Sequence, residues 1–235
     1  MKYEIKGAPF PVVICTVDPG ESLICESGAM AWMSSNMKQD TQLAGKGKGL
    51  LGGLAKAAGS MFTGEGIFRD KYTAEGKEGM IAFGSNVPGR IMAVEIKPGM
   101  SIVAQKGAYL ASTEGVEMSV KFQKKMSGIF GGEGIIMQQF SGDGIVLLEI
   151  DGETVEYELA AGEKMYVSTG YVALMDESVT MEAEIVKGIK NIAFGGEGLV
   201  NTTVTGPGKV VLQTMPVSAL ARAVIPYVPT SSSNS

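Results

Sequence analysis

Short apolar runs alternate with glycine-containing turns along most of the chain, and this pattern predicts β-strands rather than long helices. Segments such as VEIKPGMSIVAQ and YELAAGEKMYVS place β-branched or aromatic residues on both sides of a turn glycine, as strands joined by tight turns do. Near the C-terminus, SALARAV has the spacing of a short helical turn that Pro226 ends. The pattern therefore predicts an all-β fold with little helix.

The turns recur at matched spacings, which indicates internal repeats. DPGE, KPGM and AAGE contain the turn glycines Gly20, Gly99 and Gly162. Another glycine follows eight residues after each of them and opens an apolar strand; we call these, Gly28, Gly107 and Gly170, the strand glycines. Later in each unit a Phe precedes a GEG triplet, and a glycine lies eleven residues beyond its glutamate, before an apolar run. The glutamates are Glu65, Glu133 and Glu197, and the later glycines are Gly76, Gly144 and Gly208.

A single unit of this size would bury too little apolar surface to be stable alone, so the units are expected to pack against one another. We predict three jelly-roll-like or β-sandwich-like repeats related by pseudo-threefold symmetry. Residues 1–226 would form one β-body with repeats at about 1–91, 92–152 and 153–216. Residues 227–235 would form a flexible polar tail.

The first repeat carries an insertion that its siblings lack. The strand glycine and the GEG glutamate are separated by 37 residues in the first unit, 26 in the second and 27 in the third. Apolar residues within the longer interval recur on one face of a helix, which predicts one short amphipathic helix. It would pack on the protein's own β-body or, alternatively, face another subunit or a membrane surface. The interaction candidates are Lys46, Lys48, Leu50, Leu51, Leu54, Lys56, Met61 and Phe62.

The same stretch contains GxGxxG, at Gly47, Gly49 and Gly52. A dinucleotide-binding turn of this spacing requires a parallel strand-helix-strand context. Antiparallel β repeats do not provide that context, so we expect no nucleotide site here.

Composition excludes several kinds of chemistry. The 235 residues include no histidine, which removes Ser/His/Asp and Cys/His nucleophile pairs and metal sites that need imidazole. The formal net charge of −5 disfavours nucleic acid as a partner. The three GEG glutamates could form a carboxylate ring for a cation, but glycine-flanked turns explain them more simply. We therefore predict no catalytic residue, metal or cofactor.

The two cysteines flank the DPGE turn. In a hairpin with a three-residue loop, Cys15 and Cys25 would lie opposite one another, and a disulfide would be conceivable. No secretory segment and no 18-residue apolar run is found, so we expect a cytoplasmic protein with reduced, buried thiols. Trp32 is expected to pack into the core.

The run DPGESLICESGAMAWMSSN and the segment GKGLLGGLAKAAGSMFTGEGIF resemble the altered-inheritance-of-mitochondria family. The resemblance covers nearly all of residues 1–226. It implies a β-sandwich fold similar to that of the tryptophan RNA-binding attenuation protein, present as three repeats in one chain. Mitochondrial relatives are linked to inner-membrane organisation, which implies scaffolding or membrane association. No catalytic residues are carried over from the family, and neither tryptophan nor RNA binding is inherited with a fold.

Three functions are compatible with these features, and we rank them in the order given, with the first as the prediction. The first is a non-enzymatic scaffold or interaction protein that self-associates as a homo-oligomer and contacts a protein partner or a membrane surface. The second is a β-sandwich protein that binds a small ligand in a cleft between repeats. The third is a metal-dependent enzyme that uses carboxylates alone.

Overall fold

The computed structural model describes residues 1–26, 28–43, 68–124, 135–168, 170–185 and 200–228. These residues form nineteen β-strands, one α-helix and two 3-10 turns, at Lys106–Ala108 and Ile225–Tyr227. The strands are β1 (Lys2–Lys6), β2 (Val12–Val17), β3 (Ser22–Glu26), β4 (Met30–Met33), β5 (Met37–Leu43), β6 (Phe68–Ala74), β7 (Gly79–Gly84), β8 (Gly89–Ile96), β9 (Ile102–Gln105), β10 (Tyr109–Thr113), β11 (Val116–Lys124), β12 (Ile135–Gly142), β13 (Gly144–Asp151), β14 (Thr154–Leu159), β15 (Lys164–Ser168), β16 (Val172–Asp176), β17 (Thr180–Ile185), β18 (Val200–Thr205) and β19 (Gly208–Gln213), and the helix α1 spans Val217–Val224.

The strands form four antiparallel sheets, two of which join distant parts of the chain. The first sheet has the order β1-β2-β7-β4 and the fourth has the order β15-β18-β17. The second sheet has the order β5-β6-β3-β10-β13-β8, and the third has the order β11-β12-β9-β16-β19-β14. The second and third sheets are therefore the elements that hold the molecule together.

One pairing scheme occurs in three consecutive segments of six strands: β2 to β7, β8 to β13, and β14 to β19. In each segment the sixth strand pairs with the first and the third, and the fifth strand pairs with the second and the fourth. The second strand of one segment also pairs with the third strand of the next, as β3 does with β10 and β9 with β16. We call these two contacts the segment junctions.

The turn between the first and second strands of each segment requires glycine. Gly20, Gly99 and Gly162 have φ values of 84°, 83° and 77°, which a side chain rarely adopts. A backbone hydrogen bond closes each four-residue turn, for example from the Glu21 N–H to the Asp18 carbonyl at 3.0 Å. These features match type II turns, and they explain why the sequence repeats glycine at this position.

The third strand of each segment contains a bulge at the same place. The register against the sixth strand shifts between Met30 and Trp32, between Tyr109 and Ala111, and between Val172 and Leu174. In each pair, the first residue lies two positions and the second four positions after the strand glycine of that segment, Gly28, Gly107 or Gly170. A bulge bends a strand and increases its twist, so the third strands of all three segments bend at corresponding positions.

Three apolar clusters fill the spaces between consecutive sheets. In the first cluster, Phe83 of the first sheet and Tyr72 of the second are both buried. In the second cluster, the rings of Tyr109 and Phe140 stack at 5.6 Å between the second and third sheets. Val204 belongs to the third cluster, between the third and fourth sheets. Burial of each large apolar side chain contributes about 1.5–3 kcal/mol, so these clusters are the main source of stability.

The all-β fold predicted from the sequence is confirmed, as is a short helix in SALARAV, which is α1. The pseudo-threefold symmetry, the jelly-roll character of the repeats and their boundaries stay predictions, because strand pairing alone does not define a rotation axis. The predicted amphipathic helix of the first repeat and residues 229–235 of the tail lie outside the described residues. No helix within the described ranges is long and apolar enough to cross a membrane.

The structure corrects the expected neighbours of the cysteines. The strands on either side of the DPGE turn do not form a hairpin, because β2 belongs to the first sheet and β3 to the second. Cys15 lies opposite Tyr3 and Ile81, whereas Cys25 lies opposite Ala111 and Asp70. Both thiols are free and buried.

Two further expectations are wrong. Trp32 does not pack into the core, because it lies on the edge strand β4 and is 46% exposed. The apolar strand of the first segment starts at Gly79, and Gly76 lies in the preceding turn with a φ of 71°. The register makes Gly79 the counterpart of Gly144 and Gly208. The corresponding residues of the third strands, Met33, Ser112 and Met175, lie opposite Ile81, Val146 and Val210, and each of these partners lies two residues after its glycine.

Both thiols are expected to be unreactive in the native protein. Burial raises the pKa of Cys15 and of Cys25 to about 12, so almost no thiolate is present near pH 8. A colorimetric disulfide reagent should label no thiol in the folded protein within minutes and two in guanidinium chloride. Rapid labelling of the folded protein would contradict the placement of β2 and β3.

Candidate functional site

A cavity of about 480 Å³ lies where residues from all three segments meet. Its walls come from the ends of β3, β9 and β19, from β12 and β13, and from the start of α1. The polar lining residues are Glu26, Asn86, Gln105, Lys106, Glu149, Asp151, Thr202, Gln213 and Ser218, and the larger apolar ones are Val87, Ile135, Ile136, Met137, Val172, Met181, Pro216 and Val217. Apolar walls with a few convergent polar groups are typical of small-molecule sites.

Glu149 is a buried carboxylate that its own chain holds in place. Its Oε2 accepts hydrogen bonds from the Ser85 hydroxyl at 3.0 Å and from the Asn86 backbone N–H at 2.9 Å. Its Oε1 accepts a third hydrogen bond, from Asn86 Nδ2 at 3.3 Å. The Glu149 side chain is therefore oriented before any ligand binds.

Asp151 connects the cavity to α1. Its Oδ2 accepts a hydrogen bond of 2.7 Å from the Val217 backbone N–H, the first in the helix. Pro216 precedes the helix and has no side chain that could cap it, so Asp151 provides this acceptor from a distant strand. Burial raises the pKa of Asp151, the hydrogen bond from Val217 opposes that shift, and the nearby Glu149 adds to it.

The Gln213 side chain links three strands around the cavity. Its Nε2 donates to the Gly170 carbonyl at 2.7 Å. Its Oε1 accepts from Gln105 Nε2 at 3.2 Å and from the Asp151 backbone N–H at 3.1 Å. Both ends of this amide are thus engaged, as a buried amide requires, and the wall formed by β9, β13 and β19 is fixed.

Glu26 is the third carboxylate of the lining and is partly buried at the end of β3. Burial raises its pKa, and so does the nearby Glu149, whereas Lys106 and Arg69 lower it. Three carboxylates and one lysine therefore line the cavity within the part of the chain that the structure describes. This excess of acceptors favours a ligand that carries positive charge or hydrogen-bond donors.

The chain is similar over nearly its whole length to a known protein family. Residues 3–215 match the family model described as mitochondrial biogenesis AIM24. The chain belongs to the AIM24 family. An uncharacterized protein of Streptococcus pyogenes serotype M6 is 28% identical over 234 residues, which cover 99% of this chain and 93% of that relative. The crystal structure of a protein from Streptococcus pyogenes is 25% identical, has a TM-score of 0.77, and covers 97% of this chain and 99% of its own.

The match to the AIM24 family includes most of the cavity wall. Glu26, Glu149, Asp151 and Gln213 lie within the matched residues, whereas α1 follows them. The family membership predicted from the sequence is confirmed. The similarity to the tryptophan RNA-binding attenuation protein stays a prediction.

The interaction candidates that the sequence suggested in this AIM24-family chain all lie outside the described residues. This holds for Lys46, Lys48, Leu50, Leu51, Leu54, Lys56, Met61 and Phe62, and for the turn glutamates Glu65, Glu133 and Glu197. Within the described ranges, no group of three or more Cys, Asp or Glu side chains is arranged to hold a metal ion.

Sequence reasoning missed the polar residues of the cavity, although a signal was present. Glu149 and Gln213 each lie five residues after the glycine that begins an apolar strand, in IVLLEID and KVVLQTM. Glu26 and Gln105 each lie six residues after a turn glycine. A polar residue at a matched position of two buried strands predicts a shared polar site more strongly than a solvent-exposed face.

Removing the charge of Asp151 is expected to change the dependence of stability on pH. A carboxyl whose pKa is raised by folding contributes stability below its unfolded pKa, near 3.8, and loses it as pH rises through the folded pKa. Asp151→Asn keeps an acceptor for the Val217 N–H. It avoids the cost of burying an ionised carboxylate, which the wild type bears above the folded pKa. It should therefore be more stable than the wild type at pH 7 in urea unfolding, and the difference should shrink towards pH 4.

Asp40→Asn, which removes an exposed carboxylate of β5, is the matched control and should not reproduce the Asp151→Asn difference. An Asp151→Asn advantage that grows as the pH falls would show that the ionised carboxylate stabilises the fold instead.

Proposed function

We propose that this AIM24-family protein is a non-enzymatic binding protein that holds a small molecule in the cavity lined by all three segments. The observation that carries the proposal is the cavity of about 480 Å³ to which all three segments contribute polar side chains. Cavities of about 300–1,000 Å³ with apolar walls and a few fixed polar groups are the usual sites for small ligands.

The lining supports a ligand with an apolar body and a cationic group. Ile135, Ile136 and Met181 offer apolar contact, while Glu26 and Glu149 offer carboxylates. Burial disfavours the charged form of Glu26, and a bound cation would relieve that penalty by supplying the opposite charge. A small amine or quaternary ammonium compound has this chemistry.

A binding role is also supported by how the carboxylates are used. Glu149 accepts three hydrogen bonds from Ser85 and Asn86, and Asp151 caps α1. Both groups are therefore held in fixed orientations by the protein, and the sequence contains no histidine that could relay a proton. We accordingly assign no reaction and no cofactor to the cavity.

A thermal-shift panel tests the ligand class. We expect small alkylamines and quaternary ammonium compounds to raise the melting temperature, because a ligand that binds only the native state stabilises it by about 2.7 kcal/mol at 100 times its Kd. Matched carboxylates, nucleotides and tryptophan should give no shift.

Glu26→Gln should weaken the binding of the best amine by about tenfold or more in calorimetry, since a charge-assisted hydrogen bond is lost. Glu117→Gln, on the exposed face of β11, is the control and should bind as the wild type does. Equal loss in both variants, or no amine that shifts the melting temperature, would overturn the proposal.

The second candidate function is that of a scaffold that self-associates and contacts a partner or a membrane surface. Exposed apolar side chains favour it, and they concentrate around α1 and on the outer strands. Those around α1 are Met215, Val217, Val224, Ile225, Tyr227 and Val228, and those on outer strands include Tyr3, Trp32, Tyr157 and Tyr166. A cytoplasmic location is part of this proposal.

Removal of residues 46–56 tests whether the lysine- and leucine-rich insertion serves this second function. The deletion should leave the melting temperature nearly unchanged, because the other two units lack about ten residues of this interval and their strands still follow the same pairing scheme. It should reduce the oligomer mass measured by light scattering or the binding to vesicles that contain anionic lipid. Unchanged behaviour in both assays would show that the insertion contributes to neither contact.

A further inference from the structure

Among the described residues, two strands of the segment scheme lack the partner that their counterparts have at the segment junctions. Within the described ranges, β4 pairs only with β7, and β15 pairs only with β18. β4 is the third strand of the first segment, and β15 is the second strand of the third segment. At both segment junctions, strands of these same two kinds pair with each other.

The two junctions share one register when positions are counted from the glycines. At the first junction Ser112 lies opposite Ile24, and at the second Met175 lies opposite Val103. Ser112 and Met175 each lie five residues after a strand glycine, and Ile24 and Val103 each lie four residues after a turn glycine. The pairing of second and third strands is thus built identically twice.

The same counting assigns partners to the residues of the open edges. Met33 lies five residues after Gly28, and Tyr166 lies four residues after Gly162. In the junction register, Met33 would lie opposite Tyr166, and Trp32 would lie opposite Val167. Both edges have the length and the turn geometry that the junctions use.

Residues on the edges of β4 and β15 are more exposed than their counterparts at the segment junctions. At the second junction Val103 is fully buried and packs with Met175 in the third apolar cluster, although the two belong to different segments. Tyr166, the counterpart of Val103, is 75% exposed. Trp32 is 46% exposed, whereas its counterparts Ala111 and Leu174 are buried.

We propose that β4 of one molecule pairs in antiparallel orientation with β15 of a second copy, in the register of the segment junctions. This inference deepens the second candidate function and rests on self-association. The β4 sequence, MAWM, carries no charge and no proline, the features by which exposed edges usually avoid pairing. The contact joins two different surfaces, so copies add head to tail and close into a ring where the rotation allows it.

A second copy is the occupant because the chain already uses this contact twice. Within one molecule β4 and β15 are edges of separate sheets. Tyr166 of one copy would occupy the place that Val103 takes at the second junction and would cover Met33, which is partly buried against the first cluster. The pairing would thereby extend the first sheet across two molecules by β-augmentation.

Disulfide trapping in mixtures tests the pairing and its register. We expect Met33→Cys and Tyr166→Cys, prepared as separate proteins and then mixed under mild oxidation, to form a mixed dimer. Neither protein alone should do so. Cys15 and Cys25 do not compete because both are fully buried. Tyr3→Cys, on the opposite edge of the first sheet, replaces Tyr166→Cys as the control and should give no dimer with Met33→Cys.

Absence of the mixed dimer, or equal crosslinking with Tyr3→Cys, would overturn the proposal. The double variant Met33→Cys/Tyr166→Cys should form covalent oligomers. A crosslink confined to the monomer at every concentration would instead show that the edges close within one chain, which also overturns it.

A charge at the edge separates this proposal from self-association in general. Tyr166→Lys should weaken association at least tenfold in sedimentation equilibrium, and Tyr157→Lys, an exposed tyrosine of β14, should not. A wild type that stays monomeric across the concentration range contradicts both self-association and the edge pairing. Association that Tyr166→Lys leaves unchanged contradicts the edge pairing alone.

Discussion

Antiparallel pairing across the segment junctions is the contact on which the rest of the structure depends. β3 belongs to the first segment and β10 to the second, yet each supplies backbone hydrogen bonds to the other. The second and third sheets exist as six-stranded units only through such contacts, and each has apolar clusters on both faces. A buried strand whose backbone groups are unpaired is costly. The second and third sheets are therefore stable because two consecutive segments each contribute three strands to them.

The cavity is a consequence of the same arrangement. The junction strands β3 and β9 end at Glu26 and Gln105, and both residues reach the cavity wall. Strand β13 brings Glu149 and Asp151 to the same wall, and β19 brings Gln213. Polar side chains at the ends of apolar strands are thus collected in one place, and the proposed binding function rests on this arrangement.

The sequence predicted those parts of the structure that depend on local chemistry. Gly20, Gly99 and Gly162 predicted the turns because positive φ favours glycine, and SALARAV predicted α1 from its spacing. Contacts between distant segments have no comparable signature. Cys15 and Cys25 are close in sequence but lie in different sheets, and the exposure of Trp32 follows from the edge position of β4. The cavity residues come from strands more than one hundred positions apart, such as β3 and β13.

One strand position carries a different group in each segment. The fifth residue after the opening glycine is Gly84 in β7, Glu149 in β13 and Gln213 in β19. Glu149 and Gln213 line the cavity, whereas Gly84 is not among its lining residues. The same strand position therefore supplies a carboxylate from one segment and an amide from another to one wall. A guest that contacts this wall would meet two chemically different polar groups rather than copies of one.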